Sequence, residues 1–169
     1  EDMTPDPIEP YSWQKLSCEY ACLMWMKRYG LATVILRLFQ VFGENQRGDT
    51  VIALFWKKKK EGNPLTVVNS GSELSPKSLE RDFVYVGEVV DAFEKAAESK
   101  KTGQGEVINI AGGKVTLIED IARIIGDDIV WIPKRDYEVV KHHADITKAK
   151  QLLGWVPTID VLQWLENNV

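Results

Sequence analysis

Apolar positions along the chain follow two periods. From Tyr11 to about Tyr29 they recur at three- and four-residue steps, through Trp13, Leu16, Tyr20, Leu23 and Met24, which predicts a helix burying that stripe. Pro10 suits the first turn of such a helix and Gly30 its C-cap. The run 32–38, Ala-Thr-Val-Ile-Leu-Arg-Leu, is β-branched and almost continuously apolar, the pattern of a strand covered on both faces, with Arg37 as the exception. A loop over 40–49 leads to a short helix at about 50–60. A short strand at 65–68, a polar loop to Glu80 and a strand-like piece at 81–86 follow. A helix is predicted over roughly 88–99, with Val89, Val90, Phe93, Ala96 and Ala97 inward. Beyond a turn-rich linker at 100–105, Glu106 to Ile110 reads as a second doubly covered strand, broken by Ala111-Gly112-Gly113. Thr116 and Glu119 have capping-box spacing for a helix reaching about Ile125. A strand at 129–132, an irregular stretch from Pro133 to Asp145, and short helices at 147–153 and 159–167 complete the chain.

This alternation predicts an α/β fold. A doubly wound sheet, however, carries a Gly-rich first turn and more parallel strands than the two long ones predicted here. The chain has no G-x-G-x-x-G or G-x-x-G-x-x-G. It reads as the second half of a larger architecture, and a start at Glu1 without an initiator Met suggests a fragment or processed product. The 169 residues suit one domain or a domain with a small lobe. A net charge of −4 gives no case for nucleic-acid or anionic-membrane binding. No apolar run approaches the roughly 20 residues of a membrane span. Cys18 and Cys22 lie one helical turn apart, a poor disulfide geometry and too few ligands for zinc, so they are expected to be buried, reduced thiols of a cytoplasmic protein. The adjacent pair His142-His143 lacks the spacing of helical metal ligands, and no metal site is expected. The four lysines 57–60 suit a solvated helix C-terminus.

The stretch with the clearest chemistry is Tyr11-Ser12-Trp13-Gln14-Lys15. Residues four apart on a helix share a face. An ammonium beside a phenol favours the phenolate, which is how a group ordinarily titrating at about pH 10 becomes an acid/base catalyst. Taken alone, the spacing more often marks a surface Tyr and Lys on an amphipathic helix, because spacing-only motifs match by chance.

Further motifs follow this pair in order. They are Pro10-Tyr11-x-x-x-Lys15-Leu16-x-x-Glu19, Tyr29-Gly30-Leu31, the run Ile35 to Gly43, Gly62-Asn63-Pro64-Leu65 and Arg81-Asp82-Phe83-Val84-Tyr85-Val86. Glu106 to Ile110, Ala144-Asp145-Ile146-Thr147-Lys148-Ala149 and Leu153-Gly154-Trp155-x-Pro157 complete the series. Across nearly its whole length the chain resembles the C-terminal half of the extended short-chain dehydrogenase/reductases, the NAD-dependent sugar-nucleotide epimerases and dehydratases. That resemblance implies the C-terminal part of a Rossmann-like doubly wound fold plus a small α/β substrate-binding lobe, with the N-terminal nucleotide-binding half absent. The implied division is 1–49 as the end of the core, 50–86 as a lobe segment, 87–110 as a return to the core, and 111–169 as the C-terminal lobe.

The same resemblance implies roles. Tyr11 is the expected acid/base for hydride transfer at a sugar carbon, and Lys15 the residue that holds the nicotinamide ribose and favours the phenolate. Phe39 lies on the loop expected to line the nicotinamide of NAD. Gln40, Arg81, Arg135 and Glu138 are the expected contacts to a nucleotide-diphosphate sugar, with the planar arginine forks suited to phosphate oxygens. Gln40 departs from the family's usual Asn by one methylene, which displaces its amide. Val86-Gly87-Glu88 replaces a Val followed by two acids. The Gly-rich loop, the ribose-binding acid and the catalytic Ser or Thr are not in the sequence. The expected function is therefore the substrate-binding half of an NAD-dependent sugar-nucleotide epimerase or dehydratase, inactive by itself. Its partners are a missing half or partner chain, and a second copy through the 11–29 helix. The alternative is a stand-alone, non-catalytic nucleotide-sugar-binding or interaction domain.

Overall fold

In the computed structural model, which describes residues 1, 3–136 and 138–168, Pro10 opens a long helix, α1 (Pro10–Tyr29). Gly30 ends it in the left-handed conformation (φ 68°), donating its N–H to the Met26 carbonyl. The remaining elements are β1 (Thr33–Leu38), β2 (Gln40–Phe42), α2 (Val51–Lys60), β3 (Leu65–Asn69), β4 (Glu80–Tyr85), α3 (Val86–Glu98) and β5 (Gln104–Ile110). After these come β6 (Val115–Leu117), α4 (Ile118–Ile125), β7 (Ile129–Pro133), α5 (Thr147–Leu153) and α6 (Val161–Glu166). The chain is α/β, with parallel strand pairs and two compact units.

The first unit comprises Glu1–Leu38, Val90–Ile110 and Asp145–Val156. Its sheet is β1 paired in parallel with β5, running from Val34 opposite Glu106 to Leu38 opposite Ile110. Ile108, Ile110, Ala92, Ala149 and Trp155 are fully buried. No residue of β1 is buried, so the strand expected to be covered on both faces is only half-covered. Its described strand neighbour is β5 alone, and α1 is among the elements packed against it.

The helix α1 also departs from expectation. It has no buried residue, and Trp13, Tyr20 and Met24, expected inward, are exposed. The half-buried stripe is instead Ser12, Leu16, Glu19, Leu23 and Met26, also at three- and four-residue steps. Cys18 and Cys22 are free thiols as expected, but exposed rather than buried. In α3, Val90, Phe93 and Ala97 face outward, whereas Val89, Ala92 and Ala96 are buried.

The second unit comprises Phe39–Val89, Ala111–Ala144 and Pro157–Val169. It holds a three-stranded sheet, β2-β4-β6, with β2 parallel and β6 antiparallel to β4, and the parallel pair β3-β7. Phe42, Phe55, Val67, Ile121, Ile125 and Leu165 lie in one apolar core shared by α2, α4, α6 and these sheets. The loop expected at 40–49 opens with β2, too short to leave a periodic signal.

The expected capping box is corrected as well. Thr116 is buried in β6 opposite Arg81, not at a helix terminus. Leu117 occupies the N-cap of α4 without a side-chain bond. Ser78 does the capping from a distant loop, its Oγ accepting the Glu119 N–H at 3.1 Å, while the Glu119 carboxylate pairs with Arg123.

Candidate functional site

In the first unit, the i, i+4 spacing brings Tyr11 and Lys15 together on α1. The Lys15 ammonium lies 5.3 Å from the centre of the Tyr11 ring. Tyr11 is 65% exposed, and among the described residues Lys15 makes no hydrogen bond or ion pair. An unclaimed ammonium beside an accessible phenol can bind hydroxyl oxygens and support proton transfer at the ring oxygen.

One turn further along α1, Glu19 accepts both donors of an Arg37 fork. Arg37 Nε and Nη2 reach Glu19 Oε1 and Oε2, each at 2.8 Å. This hydrogen-bonded pair, partly buried, raises the guanidinium above its usual range and fixes α1 against β1. Arg37 was legible as the one charge in an apolar strand, but its partner, 18 residues away, was not.

The second unit places the remaining candidates. Gln40, exposed on β2 opposite Phe83, lines a cavity of about 270 Å³ with Gln46, Arg47, Asp49, Thr50 and Phe83 among others. Gln46 Oε1 accepts the Thr50 hydroxyl at 2.9 Å, while its buried Nε2 has no partner among the described residues. Sequence reading did not single out this polar set, which is gathered by the turn into α2. Phe39, half-buried, sits immediately before β2.

Arg81 is 8% exposed on β4, and burial lowers its guanidinium from the usual value. Its Nη1 donates to the Glu80 and Val140 carbonyls at 2.9 and 3.4 Å. Its Nη2 stands 4.0 Å from Glu138. Glu138 also accepts the Arg135 backbone N–H at 3.4 Å, so the Arg135 main chain lies beside the Arg81–Glu138 pair. The Arg135 guanidinium is unpaired among the described residues. Beside Arg81, burial and the guanidinium charge lower the His142 imidazole. The Arg81 fork beside the Glu138 carboxylate offers donors and an acceptor of the kind that phosphate oxygens and a sugar hydroxyl take.

Asp82, fully buried next to Arg81, accepts the Ala144 N–H at 3.2 Å through Oδ2. Burial raises its carboxyl above the usual range, and the Ala144, Gly112 and Gly113 amides offset part of that effect. Among the described residues no hydrogen bond closes on Oδ1. Tyr85 donates to Glu44 at 2.8 Å, which raises the phenol; the Glu44 carboxyl is lowered by its own amide and then by Tyr85. That contact joins residues 41 apart and left no local signal.

Comparison with known proteins gives a consistent set of matches. The model of the NAD dependent epimerase/dehydratase family matches residues 1–111. An uncharacterized UDP-glucose epimerase of Bacillus subtilis (strain 168) is 32% identical, over 100% of this chain and 53% of its own. A UDP-glucuronate 4-epimerase of Thermodesulfobacterium geofontis is 33% identical, over 100% and 52% respectively. Among solved structures, the UDP-glucuronic acid 4-epimerase of Bacillus cereus, in complex with UDP-glucuronic acid and NAD, superposes with a TM-score of 0.85. It is 34% identical and covers 98% of this chain and 53% of its own. The chain thus spans about half the length of the curated relatives it matches.

Proposed function

The chain belongs to the NAD dependent epimerase/dehydratase family, and from that premise we propose that it is the substrate-binding half of an enzyme that epimerises a nucleotide-diphosphate sugar. The observation that carries this reading is the Tyr11–Lys15 pair, one turn apart on α1 and unclaimed by any described side chain. The residues present fit part of an NAD site, because the free Lys15 ammonium suits a ribose diol beside a proton-transfer group. NAD, when bound, supplies the hydride acceptor and donor.

Tyr11 takes the proton from a sugar hydroxyl as its carbon is oxidised, and returns a proton to that oxygen when the carbon is reduced again. Lys15 places positive charge beside the ring that carries this proton and orients the ribose. Phe39, at the turn into β2, contributes the apolar wall expected next to the nicotinamide. Arg81 and Arg135 hold the diphosphate, Glu138 accepts from the nucleoside ribose, and Gln40 contacts the diphosphate from β2. The first unit serves as the end of the nucleotide-binding core, and the second as the substrate lobe.

The exposure of α1 on several sides fits a helix that a further half of the enzyme, or a second copy of the chain, covers. Relatives named as UDP-sugar epimerases favour epimerisation over dehydration and a uridine nucleotide over others. The test is Tyr11→Phe in the complete enzyme. Epimerisation and transient nicotinamide reduction should be lost, while nucleotide-sugar affinity stays nearly intact. An equal loss of affinity would make Tyr11 structural and sink the assignment.

A further inference from the structure

The Glu19–Arg37 pair bears on Lys15 itself. Tyr11, Lys15 and Glu19 stand at i, i+4 and i+8 of α1, so they line one face of the helix. A Lys and a Glu four apart on a helix are within ion-pairing reach, their Cβ atoms about 5–6 Å apart. Yet Glu19 makes no ion pair with Lys15; both of its oxygens are instead held by the Arg37 fork at 2.8 Å. The Glu19 side chain is only 17% exposed, so a carboxylate stripped of Arg37 would be driven toward the nearest cation. Lys15 is that cation on its own helix.

We infer that Arg37 is a positioning residue that acts through Glu19: by engaging both carboxylate oxygens it keeps the Lys15 ammonium free for a ligand hydroxyl. A guanidinium suits the task because its planar fork engages both oxygens of a carboxylate and fixes its orientation, whereas a lysine at position 37 is a point charge that fixes neither. The inference deepens the proposed function and rests on its reading of Lys15 as a ligand-facing ammonium.

The test reads the amine directly, without turnover. The folded 169-residue chain is treated with limiting acetic anhydride, and Lys15 acetylation is quantified by peptide mass spectrometry against the denatured chain. Arg37→Gln should slow Lys15 acetylation roughly two- to threefold, as Glu19 captures the ammonium. The double variant Arg37→Gln/Glu19→Gln should return to the wild-type rate although it also lacks the ion pair. Wild-type labelling of Arg37→Gln overturns the inference, as does a double variant as slow as the single one. A rise of either to the denatured rate also overturns it, since the pair would then only be fastening the helix. In the complete enzyme, unchanged turnover by Lys15→Met would remove the functional reading of Lys15 while leaving the labelling result to stand or fall separately.

Discussion

The buried Asp82 carboxyl offers the most discriminating test of how the second unit ties β4 to the segment at Ala144. Asp82 is fully buried, and its structural task is to receive the Ala144 N–H. Replacing it with Ala leaves that amide buried without an acceptor, at about 1–3 kcal/mol. Replacement with Asn keeps a carbonyl oxygen for Ala144 at nearly constant volume, so the Ala variant should be the less stable by about that amount. The pH dependence separates charge from hydrogen bonding. Because burial raises the folded-state value above the unfolded one, the stability linked to Asp82 is fully present below the unfolded value of about 3.9 and is lost as pH rises through the folded value. At neutral pH the wild type therefore carries a burial penalty that the Asn variant lacks. The gap between them should move in favour of the wild type as pH falls from 7 toward 4. Urea denaturation of all three proteins across that range, with amide exchange at Ala144 as a local probe, measures both effects. If the wild type instead gains on the Asn variant as pH rises, the amides around the carboxylate outweigh its desolvation and the reasoning fails.

Three further outcomes follow from local geometry. Ser78→Ala removes the remote cap on α4 and should cost about 1 kcal/mol in thermal or urea unfolding, whereas Thr116→Ala should show no capping loss, only the loss of a buried β6 side chain. Gly112→Ala should destabilise by about 1–3 kcal/mol or more, because a Cβ there would lie 2.2 Å from the Phe83 carbonyl oxygen, a backbone atom that cannot swing aside. The 169-residue chain alone should show no tight NAD binding by calorimetry, since its sequence has no Gly-rich pyrophosphate loop; nanomolar affinity would refute this.

What the sequence disclosed depended on how local the cause was. Pro10 and Gly30 bound α1 because first-turn proline and left-handed glycine act within one turn. The long strands β1 and β5 were legible from β-branched runs. The three-residue strands β2 and β6 were not, because pairing with β4 creates them and no period fits in three residues. Thr116 and Glu119 matched a capping box by spacing alone, yet β4 claimed Thr116 and Arg123 claimed Glu119. In the candidate site, Tyr11 and Lys15 were legible because one helix sets their separation. The Arg37–Glu19 fork, the Tyr85–Glu44 contact and the Gln46–Thr50 wall needed the folded chain, or a turn conformation, to bring the groups together.

The misplaced stripe on α1 has the same root and explains why a polar pair sits there. Apolar and aromatic side chains occur on every side of this helix, among them Trp13, Leu16, Tyr20, Leu23, Met24 and Trp25. Such a helix has no single apolar face, so burial alone does not specify its rotation, and several stripes at helical steps score alike. A shift of one residue turns the face by roughly 100° and would carry Tyr11 and Lys15 to another side. Two specific contacts remove the ambiguity. Leu23 and Met26 press on Gly105, where a Cβ would lie 2.6 Å from Leu23 Cδ2 and 3.1 Å from Met26 Sδ; with φ at +88°, the position strongly favours glycine. Glu19 docks on the Arg37 fork, which accepts a carboxylate in one orientation. The face that presents Tyr11 and Lys15 is therefore set by one glycine and one ion pair rather than by the hydrophobic pattern.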